Sequence, residues 1–184
     1  GASQSGHIAA VGYDTFLKLM ESSIAEMKGE PVGQPLEPEI NLPLSTFLPE
    51  GYISDIDQRL SIYRRLAKMT EVKEISALKT EITDRFGAMP DEAGNLLLKI
   101  MLKILAGRAG CRRLDLTPSH LLLQLSPEHQ LTPLGIAAVV DGHKTRYQLT
   151  ADHQFKARLA PGATNARLAQ AKNILIEIAQ HVNQ

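Results

Sequence analysis

Glu81 and Asp84, two carboxylates three residues apart, are the side chains in this sequence best placed to act together. They fall in the last turn of a stretch with helical periodicity, so they share one helix face. They also stand at the negative end of that helix, where a carboxylate is mildly unfavourable. Acids set against the dipole admit two readings, a solvated acidic face or a surface for a basic partner. Other candidates for chemistry are weaker. The six histidines, His7, His120, His129, His143, His153 and His181, are scattered with no H-x-x-x-H pair, so their spacing assembles no metal site. Cys111 precedes Arg112 and Arg113, whose charges could lower a thiol pKa. It also opens a strand-like run, where a half-buried structural thiol is expected. Asp91 and Glu92 are adjacent and face different ways on a helix. Arg59, Arg64, Arg65 and Lys68 make one helix locally basic, a candidate patch for nucleic acid or for the neighbouring acidic helix. The sequence contains no Gly-rich phosphate loop, no G-x-G-x-x-G and no G-x-S-x-G elbow. No catalytic residue and no metal ligand are assigned.

The elements that carry these side chains follow from hydrophobic spacing. Leu17, Met20, Ile24 and Met27 recur at helical intervals, predicting a helix over 14–28 that Gly29 stops. Residues 29–38 hold three prolines and two glycines and read as a linker. Ile40, Leu42 and Leu44 alternate as in a short strand, which Pro43 ends or confines to an edge. Ser54 and Asp57 resemble a capping box for a helix to about Met69, with Ile56, Leu60, Tyr63 and Ala67 as its buried stripe. The next helix, 71–86, buries Ile75, Leu78, Ile82 and Phe86. Gly87 ends it at positive φ. Pro90 fits the start of a third helix whose first acids, Asp91 and Glu92, suit its dipole. From Leu96 to Leu105 that helix is apolar almost all round, which marks it as central.

After Gly110 the period changes. RRLDL and HLLLQLS read as two strands around a Thr-Pro-Ser turn, followed by a short helix capped by Thr132 with Pro133 first. TRYQLT and HQFKARL read as a second strand pair. Thr164 caps a last helix with Leu168, Ala171, Leu175, Ile178 and Val182 as its stripe. The fold class is therefore α+β (mixed α/β): a helical N-terminal half, then a ββαββα sheet half.

Composition removes several function classes. The 184 residues suffice for one large or two small cores. Lys+Arg and Asp+Glu balance at 20 each, so no global field draws the chain to nucleic acid or anionic membrane. Aromatics are 4 % with no Trp, which disfavours a base-stacking single-strand binder. A single Cys excludes an internal disulfide and fits a reducing cytosol. No apolar run is long enough to span a bilayer. The chain opens on Gly1, as a fragment or processed chain would.

Particular strings carry more than composition does. QSGHIAAVGYDTFLKLM, EINLPLSTFLPEGYISDIDQRLSIYRRLA and LKTEITDRFGAMPDEAGNLL stand within the first hundred residues. The first resembles the end of the motor region of the bacterial transcription-repair coupling factors, the Mfd family. The other two resemble that family's C-terminal domain, which reads E-[IL]-x-L-P, P-x-x-Y-I-x-D, Q-R-L-x-[FIL]-Y-[KR]-R and D-R-F-G-x-[LM]-P. The match runs from Gln4 to about Ile104. From Gly107 on it rests on element order alone.

The resemblance implies a division at residues 1–36, closing a translocase region, and 37–184, a regulatory domain. It implies a cytoplasmic bacterial parent that is an ATP-dependent DNA translocase, with ATP and Mg bound in a motor upstream and no cofactor in this chain. Gln4 matches the glutamine of a translocation motif shared with RecG, but the two upstream arginines of that motif are missing here. The resemblance further implies an autoinhibitory, non-catalytic role. The domain would pack on the parent's UvrB-like N-terminal module and mask a UvrA-binding surface. RNA polymerase and DNA would be met by other parts of the parent. Glu81 and Asp84 fall where the family has acids facing basic residues of that module. A DNA-binding accessory module is the alternative, motivated by the Arg59–Lys68 helix.

Overall fold

The computed structural model describes residues 12–18, 20, 37–127, 133–143 and 145–182, with side chains omitted at 133, 134, 136 and 182. Gln4, His7, His129, Thr132, most of the expected linker and the helix expected beyond residue 20 lie outside the described residues. The chain forms two compact units, Gly1–Gln34 with Leu44–Met101, and Pro35–Pro43 with Leu102–Gln184.

The first unit is helical. Residues 13–18 and 20 are helical after Gly12, whose φ of 83° suits only glycine and whose carbonyl accepts from Phe16 N. Helix α1 is Ile56–Lys68, α2 is Val72–Phe86 and α3 is Asp91–Arg108, the last running from the first unit into the second. Asp55, not Ser54, caps α1: its carboxylate accepts from Asp57 N at 2.8 Å and Gln58 N at 3.4 Å.

The expected stripe of α1 is rotated. Its buried residues are Arg59, Ile62, Tyr63 and Leu66, while Ile56, Leu60 and Ala67 are half-exposed. The cause is Arg59. Its guanidinium donates to the carbonyls of Ile53 at 2.6 Å and Ser54 at 3.1 Å, which satisfies the backbone entering the helix. Beside it the Tyr63 hydroxyl accepts from Leu48 N at 2.9 Å. Tyr13 and Phe16 lie against the Tyr63 ring, with centroids 5.8 and 5.6 Å away.

Helix α2 buries Ile75, Leu78 and Ile82 as expected, but Phe86 is only half-buried. Phe86 is the last residue of the helix and meets Tyr52 edge-on at 6.0 Å instead of entering the core. In α3, buried positions at Ala93, Leu96, Leu97, Lys99, Ile100, Leu102, Leu105 and Ala106 surround the axis, as the apolar run requires. Lys99 keeps its methylenes inside and reaches Asp14 with its ammonium at 2.6 Å.

The second unit is built on a five-stranded sheet of order β1-β2-β3-β5-β4. The strands are β1 Glu39–Asn41, β2 Cys111–Leu116, β3 His120–Leu125, β4 Tyr147–Leu149 and β5 Gln154–Arg158. Helices α4 (Pro133–Gly142) and α5 (Thr164–Val182) complete the unit, so the expected ββαββα order is present. Strand β1 takes an edge, as Pro43 implied, but it pairs parallel with β2, Ile40 opposite Leu114. The two hairpins join through β3 and β5, with Leu123 opposite Phe155.

Alternation sends Leu114, Leu116, Leu121, Leu123, Leu125, Tyr147, Phe155 and Ala157 inward, and α5 buries Leu168, Ala171, Ile174, Leu175 and Ile178. Thr164 opens α5 as its first residue, and its hydroxyl accepts from Arg167 at 3.1 Å. Cys111 is wholly buried rather than half-buried. Burial pushes its thiol from 9.0 up to about 12.

That burial has a pH signature. Below pH 9 both folded and unfolded thiols keep their proton, and Cys111 has no effect on the pH dependence. Above it only the unfolded thiol ionises, so stability falls by about 1.4 kcal/mol per pH unit from this group until the folded value is reached. Denaturant unfolding at pH 8, 9 and 10 should show the decline. A disulfide-exchange thiol reagent at pH 8 should leave the native protein unmodified and label one thiol after unfolding.

Candidate protein-interaction face

The acidic pair rests on how α2 begins and ends. At its start the Glu74 carboxylate accepts from Thr70 N at 3.2 Å and Glu71 N at 3.0 Å, so this acid is spent on capping. At its end Gly87 has φ 88° and ψ −165°, a region open essentially to glycine alone. Gly87 N donates to Thr83 O at 2.9 Å, and the Tyr52 hydroxyl donates to Gly87 O at 2.7 Å. Tyr52 thus clamps the turn that stops the helix, and partial burial raises its phenol pKa.

Between these ends the core stripe Ile75, Leu78 and Ile82 fixes the roll of α2, which leaves Glu81 half-exposed and Asp84 exposed. The two acids differ in their partners. Glu81 is ion-paired with Arg65 of α1, both side chains being about half-exposed. Asp84 makes no hydrogen bond or ion pair among the described residues. Next to it Arg85 lies over the Phe86 ring, 4.9 Å from the centroid. The acidic side of α2 therefore carries one carboxylate without a partner among the described residues and one on an exchangeable pair, whereas Phe86, two residues past Asp84, turns with Tyr52 to the Ile82 side of the helix. Exposed acids held this loosely suit a protein partner with basic side chains.

The basic helix keeps only part of its charge free at the surface. Arg59 is buried in backbone hydrogen bonds and Arg65 is paired with Glu81, which leaves Arg64 and Lys68 exposed. Gln4 lies outside the described residues. Asp91 and Glu92 occupy the first turn of α3, where the dipole favours them. Among the described residues no group of three or more His, Cys, Asp or Glu side chains is arranged to hold a metal ion. Sequence reasoning missed Tyr52, whereas the pairing of the basic helix with its acidic neighbour was one of its two readings, and Arg65–Glu81 is such a pair. Tyr52 stands in a quoted string, but only its hydroxyl contact with a glycine 35 residues away reveals its use.

The TRCF domain family matches residues 42–136, which include the whole face. The transcription-repair-coupling factor of Myxococcus xanthus is 34% identical over 180 residues, covering 97% of this chain and 15% of that protein. That of Escherichia coli strain K12 is 27% identical over 161 residues, covering 85% of this chain and 14% of the relative. This chain thus spans about 15% of the length of such relatives. A solved structure described as the crystal structure of the C-terminal domain of transcription-repair coupling factor has the same fold, with a TM-score of 0.62 at 19% identity. The match covers 78% of this chain and 94% of that one.

The cap geometry gives a direct test. Gly87→Ala should destabilise the protein by roughly 1–3 kcal/mol, because alanine must leave the observed φ and ψ. Tyr52→Phe should cost about 0.5–1.5 kcal/mol through the lost hydroxyl contact. Chemical denaturation of the two variants measures both.

Proposed function

The chain belongs to the TRCF domain family, and from that premise we propose that it is a non-catalytic, autoinhibitory interaction module of a transcription-repair coupling factor. In this reading the parent is a cytoplasmic ATP-dependent DNA translocase of transcription-coupled repair. Its ATP and Mg belong to the motor, and its RNA polymerase contact and the motor's grip on DNA lie in other parts. Residues 1–36 close the translocase region, with Gln4 as a remnant of its translocation motif, and 37–184 form the regulatory domain. Glu81 and Asp84 meet basic side chains of the parent's UvrB-like N-terminal module and keep a UvrA-binding surface covered.

The observation that carries the reading is the state of the two acids. Asp84 is exposed without a partner among the described residues, and Glu81 holds only an exposed pair. An exposed ion pair is worth about 0–1 kcal/mol, so an incoming arginine can replace Arg65 at little cost. Partner pairs that become desolvated contribute more, about 1.5–3 kcal/mol each. A mask held by a few such pairs is closed at rest and opened by a competitor of similar strength.

Charge reversal separates this role from a structural one. Glu81→Arg with Asp84→Arg in the parent should raise UvrA binding, and the same pair in this chain should shift Tm by no more than a few degrees. UvrA binding at the wild-type level would refute the role of these two residues. Arg65→Ala removes the internal competitor for Glu81. It should tighten binding of the N-terminal module in trans roughly two- to fivefold, as read by calorimetry.

A further inference from the structure

The polar side of the sheet carries a second cluster, independent of the acidic face and of the role proposed for it. Strand β5 presents Lys156 and Arg158 two residues apart on one side of the sheet, about 7 Å from Cα to Cα. His120 of β3 stands opposite Arg158, and Gln148 of β4 opposite Lys156. Arg146 is bound alongside, its carbonyl accepting from Arg158 N at 2.8 Å. With Thr145 these side chains line a cleft of about 370 Å³. Arg146, Lys156 and Arg158 form no ion pair among the described residues, and no carboxylate lines the cleft. The acid nearest in the ladder sequence, Asp115 on β2, is held by Arg113 at 2.9 Å and Asn41 at 2.8 Å.

Three like charges gathered without a counter-ion repel one another and weaken the unit unless an anion joins them. The lining also says which anion. It offers two guanidinium forks, of which Arg146 also donates to Gln170 Oε1 at 3.4 Å, an ammonium, the Nε2 side of an imidazole whose Nδ1 meets Ser119 Oγ at 2.7 Å, a hydroxyl and an amide, more donors than the two oxygens of one carboxylate can use. A phosphate uses such a set well. No apolar or aromatic side chain lines the cleft, so it offers neither an anchor for a peptide side chain nor a platform for a base.

We propose that the His120, Arg146, Lys156 and Arg158 cleft is a phosphate-binding site that takes the backbone phosphates of nucleic acid without reading its bases. Contacts of this kind are electrostatic, sequence-independent and salt-sensitive.

The test uses the full 184-residue chain. Backbone amide NMR shifts are followed on adding inorganic phosphate, and anisotropy of two labelled duplexes of unrelated sequence is followed at several salt concentrations. The expected result is saturable phosphate shifts centred on His120, Lys156 and Arg158, with equal affinity for both duplexes. For Lys156→Gln with Arg158→Gln, and for Arg146→Gln alone, the slope of log K against log salt should become shallower by roughly 0.9 per cation removed. Phosphate shifts without duplex binding would keep the phosphate site and assign it to a free phosphate compound. Absence of both, or variants that bind as wild type, would overturn the site. The wild-type titration decides the matter even if a variant fails to fold. None of these outcomes bears on Glu81 and Asp84, which lie outside the cleft.

Discussion

The burial of Arg59 is the interaction on which the helical unit turns. One guanidinium closes two carbonyls at the entry to α1, and Tyr63, four residues on, binds the amide of Leu48. Residues four apart share a helix face, so these two anchors set the roll of α1 together. Once the roll is set, Ile62 and Leu66 point inward, and Arg64, Arg65 and Lys68 point outward. Arg65 is thereby available to Glu81, and the charge pattern of the acidic face follows from a buried cation elsewhere. The two carbonyl bonds offset the burial of the cation, whose Nε has no hydrogen-bond partner.

The second unit obeys a different constraint. A mixed, mainly antiparallel sheet with helices in the same unit needs one apolar side, and alternation along its strands then commits the other side to polar residues. The leucines of β2 and β3 and the Phe155–Ala157 pair of β5 meet that demand. The partner positions on β5 are then Lys156 and Arg158, and the order β3-β5-β4 gathers cations from separate segments. The sheet unit thus gathers cations in one cleft, although the chain as a whole is neutral. Neutral composition argued against a field spread over the molecule, and it says nothing about segregation between segments.

The face on α2 sets weak interactions on a rigid frame. A helix cap that only glycine can adopt holds the end of α2 rigidly, and Tyr52 locks that turn. The carboxylates beside it remain loosely committed. Rigid backbone with exchangeable charges lets a partner be gained or lost without refolding the unit.

Local chemistry is what the sequence by itself determined. Helical and alternating periods located α1 to α3 and the ββαββα order, because burial periodicity is a property of neighbouring residues. Gly87 and Pro90 marked the α2–α3 turn through backbone sterics, and the pair Glu81 and Asp84 was visible from spacing alone. Tertiary structure decided the rest. It rotated the stripe of α1, since a buried arginine breaks the rule that apolar residues mark the core. It joined β1 to β2 across 74 residues, from Asn41 to Asp115. It also brought Arg146, Lys156, Arg158 and His120 into one cleft. Strand pairing and ion pairing between distant segments depend on which surfaces meet, and no local period encodes that meeting.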